Sequence, residues 1–206
     1  MLFKWNKKSS IFSGTRALLF VVLLIALGLC SFGCGPSLKA TMDVPVVRVT
    51  SSKLQNDHQI TNTFLYVDEF VDNRQNKTLV KDSRREVTAS GDVAPVVVDA
   101  LRQALGDRGF SFSESAPVII SGEVREWLAT ISGSLPTKVS AEAAIFVEIL
   151  DPANKRIYSG TYKGFASMEA ASVSEEDVKR TLASSMEEAV TQVAMDKPLV
   201  ALLSAY

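Results

Sequence analysis

The stretch that decides the fold is Val139-Ser140-Ala141-Glu142-Ala143-Ala144-Ile145-Phe146-Val147-Glu148-Ile149-Leu150, followed by Asp151-Pro152-Ala153-Asn154 and then Arg156 to Phe165. Val139, Ala141, Ala143, Ile145, Val147 and Ile149 occupy alternate positions, with Glu142 and Glu148 between them. A period of two marks a strand with one buried face. Pro presets a turn φ, and Asp and Asn hydrogen-bond their own backbone, so Asp151 to Asn154 reads as a turn. The two flanking runs therefore form a hairpin. Working backwards, Val118 to Ile131 is a further strand, apolar at first and then alternating through Val124, Glu126 and Leu128. Ser132 to Thr137, with Gly133 and Pro136, joins it to the central strand.

A helix lies on each side of these strands. Val93, Val97, Leu101 and Leu105 recur every fourth residue, widened by Ala94, Val98 and Ala104. Pro95 is tolerated only in a first turn, which sets the start near Asp92. Gly106 and Gly109 mark the exit, and Phe110 and Phe112 lead back to the sheet. The closing helix starts at Ser174, a favourable N-cap, with Glu175, Glu176 and Asp177 in the positive first turn. Val178, Leu182, Met186, Ala189, Val190 and Val193 form its apolar stripe, and Lys197-Pro198 stops it. Leu199 to Tyr206 adds a short terminal turn.

Further upstream, Val44 to Val49 reads as an edge strand because Pro45 cannot donate to a ladder. Phe64 to Val71 is strand-like in its aromatic and β-branched content. Ser51 to Thr63 reads as loop. Asp72 to Gly91 reads as a long loop with at most a weak edge strand around Glu86 to Thr88. The fold class is therefore α+β: an antiparallel sheet with two main helices packed on one face.

The N-terminus carries a different message. Lys4, Lys7, Lys8 and Arg16 precede an unbroken apolar run from Ala17 to Leu29. That run matches a signal-peptide core and falls short of the ~20 residues a spanning helix needs. Ser31-Phe32-Gly33-Cys34-Gly35 then resembles the bacterial lipobox, in which a small residue precedes the cysteine that receives a diacylglyceryl group. Cys34 is the lipidation site expected from this pattern. Cys30 has Leu27 at the favoured spacing, but Leu29 stands where a small residue belongs. An uncleaved anchor from Ala17 to Gly33 is the alternative to cleavage. The expected organisation is a signal peptide over 1–33, a lipidated cysteine and tether over 34–43, and a single periplasmic domain over 44–206. At ~0.8 kcal/mol per buried CH₂, several acyl chains would anchor the chain to the membrane permanently. Gly35 is compatible with sorting to the outer membrane.

Composition closes other routes. With 22 basic and 23 acidic residues there is no field for nucleic acid. Cysteine is absent beyond Cys34, so no disulfide framework and no cysteine-based metal site is expected in the domain. His58 is the only histidine and lies in a polar loop, where a solvated side chain is the simpler reading. Asp68, Glu69 and Asp72 could pair as carboxylates or hold a hard cation, but strand alternation sends Asp68 and Glu69 to opposite faces. Lys81, Arg84 and Arg85 form a small basic cluster that reads as a solvated loop. Trp127 reads as buried against a helix rather than as a partner anchor. No catalytic, cofactor-binding or metal residue is expected, and the chain is not read as an enzyme.

The helix exit Leu105-Gly106-Asp107-Arg108-Gly109-Phe110 and the strand Val118-Ile119-Ile120-Ser121-Gly122-Glu123-Val124 carry a further likeness. So do the alternating strand with its hairpin, and the closing helix ending Met195-Asp196-Lys197 before an apolar tail. Together this arrangement, from about Val46 onward, resembles the YajG-type lipoproteins, small envelope lipoproteins without an established activity. Auxiliary lipoproteins of ABC-type lipid transporters have a comparable layout. The resemblance implies a fold and an envelope location and supplies no catalytic residue. Two functions follow as expectations. One is an accessory or scaffold subunit that binds another envelope protein by its sheet edge or helix-free face. The other is an auxiliary lipoprotein holding an apolar ligand, for which Ala141, Ala143 and Ala144 would leave room.

Overall fold

The computed structural model describes residues 38–54, 63–83 and 85–206. The signal segment, Cys30, Cys34, His58 and Arg84 lie outside the described residues. One compact unit runs Leu38–Tyr206, which begins before the boundary expected at Val44.

Strands β6 (Ile119–Ser132), β7 (Thr137–Leu150) and β8 (Arg156–Ala170) form the long antiparallel meander expected from the alternation. The rest of the sheet departs from expectation. Strands β1 (Leu38–Met42), β2 (Phe64–Asp72), β3 (Thr78–Lys81), β4 (Arg85–Ala89) and β5 (Ser111–Phe112) complete an eight-stranded sheet. Here β1–β4, β2–β5, β2–β6 and β3–β6 are all parallel, so the sheet is mixed and not antiparallel. Parallel neighbours require crossovers and leave no hairpin turn in the sequence to betray them.

The upstream segments show why they misread. Leu38–Met42, expected to belong to a tether, pairs with β4 from Leu38 opposite Arg85 to Met42 opposite Ala89. Residues 78–89, expected to be mostly loop, are the β3–β4 pair. Val44 to Val49 is not a strand, although its alternation is real: Val47 and Val49 are buried and Val46 is exposed. The Gln103 side chain supplies the hydrogen bonds a strand would give, donating to Val49 O at 3.0 Å and accepting from Val49 N at 3.4 Å.

Helix α1 (Ala94–Asp107) takes Pro95 in its first turn, and α2 (Glu175–Met195) opens with a full capping box between Ser174 and Asp177. A short α3 (Lys197–Leu203) replaces the expected terminal turn, so the described residues hold three α-helices rather than two main ones alone. Helices α1 and α2 pack on each other; α1 also meets β2, and α2 lies on β7 and β8.

One row of the sheet sets how closely α2 can approach. Trp127 is opposite Ala143, and Ala143 is opposite Gly164. The row therefore steps from a large side chain through a small one to none. A Cβ on Gly164 would collide with the carbonyl oxygen of Ser185 and the amide of Ala189 in α2. Trp127 is 1 % exposed and donates its indole N–H to Leu182 O at 2.9 Å, which places it in the core as expected.

Candidate functional site

The meander has two faces, and among the described residues helices cover only one. Odd-numbered residues of β7 and even-numbered residues of β8 face α2; the others form a helix-free face. On that face Glu142 is opposite Phe165, Ala144 opposite Lys163 and Phe146 opposite Thr161. Phe165 is 63 % exposed, with Leu128 and Phe146 half-buried on the neighbouring strands.

A bulge in β6 shapes one side of this face. The register with β7 shifts between Val124 and Glu126, which leaves Arg125 and Glu126 both exposed. Arg125 lies 4.1 Å from the centre of the Phe146 ring and pairs with Glu123 at 3.0 Å. Hydrogen bonds from Asn73 and from Arg125 to the Glu123 carboxylate hold its pKa below the usual value.

The same bulge is where β6 changes partners along one edge. β2 accompanies it as far as Val124, and β3 joins it at Ala129. Between them the 4 % exposed Arg74 donates to Trp127 O at 3.4 Å and closes a two-point pair on Asp72, with Nε at 2.9 Å and Nη2 at 3.0 Å. Burial alone would raise the Asp72 pKa, but the hydrogen bonds from Arg74 and Lys77 outweigh it and hold the group at about 2. An open cleft of about 690 Å³ results, lined by Asn73, Asn76, Glu123, Glu126 and Leu128 among others. Chemically the face offers aromatic and apolar surface beside fixed charges of both signs. That mixture suits protein recognition.

The carboxylates weighed in the sequence go elsewhere. A second bulge, in β2 between Val67 and Phe70, breaks the alternation invoked for Asp68 and Glu69. Both line a hollow of about 400 Å³ together with Asp92 and Asp99. Asp72 is committed to Arg74 and Lys77. Among the described residues no three His, Cys, Asp or Glu side chains gather closely enough to hold a metal ion. Lys81 and Arg85 are exposed, as a solvated cluster requires.

Sequence reasoning missed Arg74 and the β6 bulge. An arginine between Asp72 and Lys77 in a polar run gives no signal of burial. The adjacent pair Arg125-Glu126 before Trp127 was the available clue, because two charges in succession break a clean alternation.

The model of a family described as uncharacterised lipoprotein matches residues 55–204. Among solved structures, a protein of Xanthomonas campestris aligns with a TM-score of 0.53 at 16 % identity, over 82 % of this chain and 96 % of that one. A minor lipoprotein of Acinetobacter baumannii aligns with a TM-score of 0.41 at 15 % identity, over 69 % of this chain and 91 % of that one. No curated protein matches the chain.

Proposed function

The chain belongs to that uncharacterised lipoprotein family, and from this premise we propose that it is a non-enzymatic accessory or scaffold protein of the bacterial envelope. Cys34 carries the lipid, the domain faces the periplasm from the outer membrane, and the helix-free face docks another envelope protein. The observation that carries the reading is Phe165, a large aromatic side chain 63 % exposed midway along the edge strand β8, whose other face lies against α2. Leu128, Phe146 and Arg125 extend the patch around it. Aromatic and arginine side chains are the residue types that most often anchor protein interfaces. The likeness to YajG-type lipoproteins supports the same placement.

A carrier of apolar ligands, the alternative raised by the alanines of β7, is less well supported. Ala143 lies between Trp127 and Gly164, and α2 descends onto that row. Beside Ala143 the room is taken by the indole, and at Gly164 by helix backbone.

The experiment is a cross-linked pull-down from intact membranes, read by mass spectrometry, comparing the native chain with Cys34→Ala. One envelope protein recovered in stoichiometric amount with the native chain and lost with Cys34→Ala is the expected result. Equal recovery of nothing from both would overturn the scaffold reading.

A further inference from the structure

The ends of the strands are not equivalent. The start of β1, the end of β3, the start of β4 and the end of β6 meet at one end of the sheet, together with the start of β7 and the end of β8. The register fixes this: Leu38 is opposite Arg85, Lys81 opposite both Glu86 and Thr130, Ser132 opposite Lys138, and Thr137 opposite Ala170. The β6–β7 turn closes this end, and its Leu135 is 80 % exposed. An open cleft of about 540 Å³ lies at the same end, with Met42, Val80, Val87, Ile131 and Val178 in its walls.

Only residues 35–37 separate Cys34 from β1, which begins at Leu38. Four residue steps, fully extended, reach about 14 Å. A lipid on Cys34 therefore holds the start of β1 within that distance of the bilayer, and the tether cannot lift the domain clear of it. The turn between β7 and β8 lies at the far end of strands 14 residues long, roughly 45 Å away.

We propose that the β6–β7 end of the sheet is apposed to the phospholipid bilayer, with Leu135 entering its interfacial layer. The proposal rests on lipidation at Cys34. A leucine at the tip of a turn has no packing role in the domain, and next to an anchored bilayer its side chain leaves water. Charge at this end is mixed, with Lys39, Lys81, Arg85 and Lys138 beside Asp82, Glu86 and Glu169. The excess of base adds an attraction to anionic headgroups that salt weakens.

The lipidated full chain is reconstituted in vesicles of phosphatidylethanolamine and phosphatidylglycerol. It carries an environment-sensitive fluorophore on Leu135→Cys or, as the far-end control, on Ala153→Cys. After removal of the signal segment each variant has one free thiol. The expected result is blue-shifted emission at residue 135, quenched by spin-labelled lipid, with water-like emission at residue 153. Vesicle flotation of the native chain separates the two ways to fail. If the chain floats and residue 135 reads water, the orientation is wrong while the anchor stands. If the native chain does not float, the anchor reading falls and the proposal falls with it.

Discussion

The two faces of β7 and β8 are built from alternating residues of the same strands, yet they differ in what covers them. Toward α2 stand Ala141, Ala143, Ile145, Val147 and Ile149, all at most 2 % exposed, and the Gly164 gap that lets the helix backbone touch the sheet. On the other side stand Glu142, Phe146, Lys163 and Phe165, with no helix over them among the described residues. The contrast teaches that the first face holds stability and the second is free to serve recognition. A substitution should therefore act on folding or on binding according to the parity of its position.

The largest effect is expected from Trp127→Ala. Removing a fully buried indole and its hydrogen bond to Leu182 O should cost about 4 kcal/mol. Chemical denaturation of the soluble domain would read it, and a cost under about 1 kcal/mol would break the contrast. Gly164→Val comes next, because its branched side chain must push α2 off the sheet. About 3 kcal/mol of destabilisation is expected from this overpacking. Lys163→Val, one position away on the open face, is the matched control and should change stability little.

A smaller effect concerns the connection between β2 and β3. The Asp72 pKa is about 2 when folded, against an unfolded value near 4. The folded state is therefore favoured by this group above about pH 4, and the contribution is lost as pH falls toward 2. Partial exposure screens it, so the difference is roughly 1 kcal/mol. Acid titration of the native domain against Asp72→Asn should show a shallower loss of stability in the variant across that window.

How legible these regions were follows from how local their signals are. The meander could be read because each strand carries its own alternation and each turn its own Gly, Pro or Asp-Pro signature. The helices announced themselves by Pro95 and by Ser174 with its acidic first turn. By contrast β1, β3 and β4 are short, and β1 pairs with β4 in parallel across more than forty intervening residues. No local pattern specifies such a partner. At Val44 to Val49 the period was right and the partner wrong, since alternation reports one buried side without saying what covers it. The candidate site was legible only as a helix-free face. Its bulge left only the adjacent charges Arg125 and Glu126 as a local trace, and the burial of Arg74 and the Arg125–Phe146 contact depend on pairing across strands that a single sequence does not encode locally.

The smallest stability effect belongs to the most informative position. Phe165→Ser should leave the folding free energy within about 0.5 kcal/mol of native, because the side chain is already largely in water. The most direct measurement of the central claim places a photo-activated cross-linking residue at Phe165 in living cells. The same residue at exposed Ser184 on α2 serves as the comparison. The account predicts one discrete adduct to an envelope protein from position 165 and none from position 184. Adducts from the helix position alone, or from neither, would contradict it.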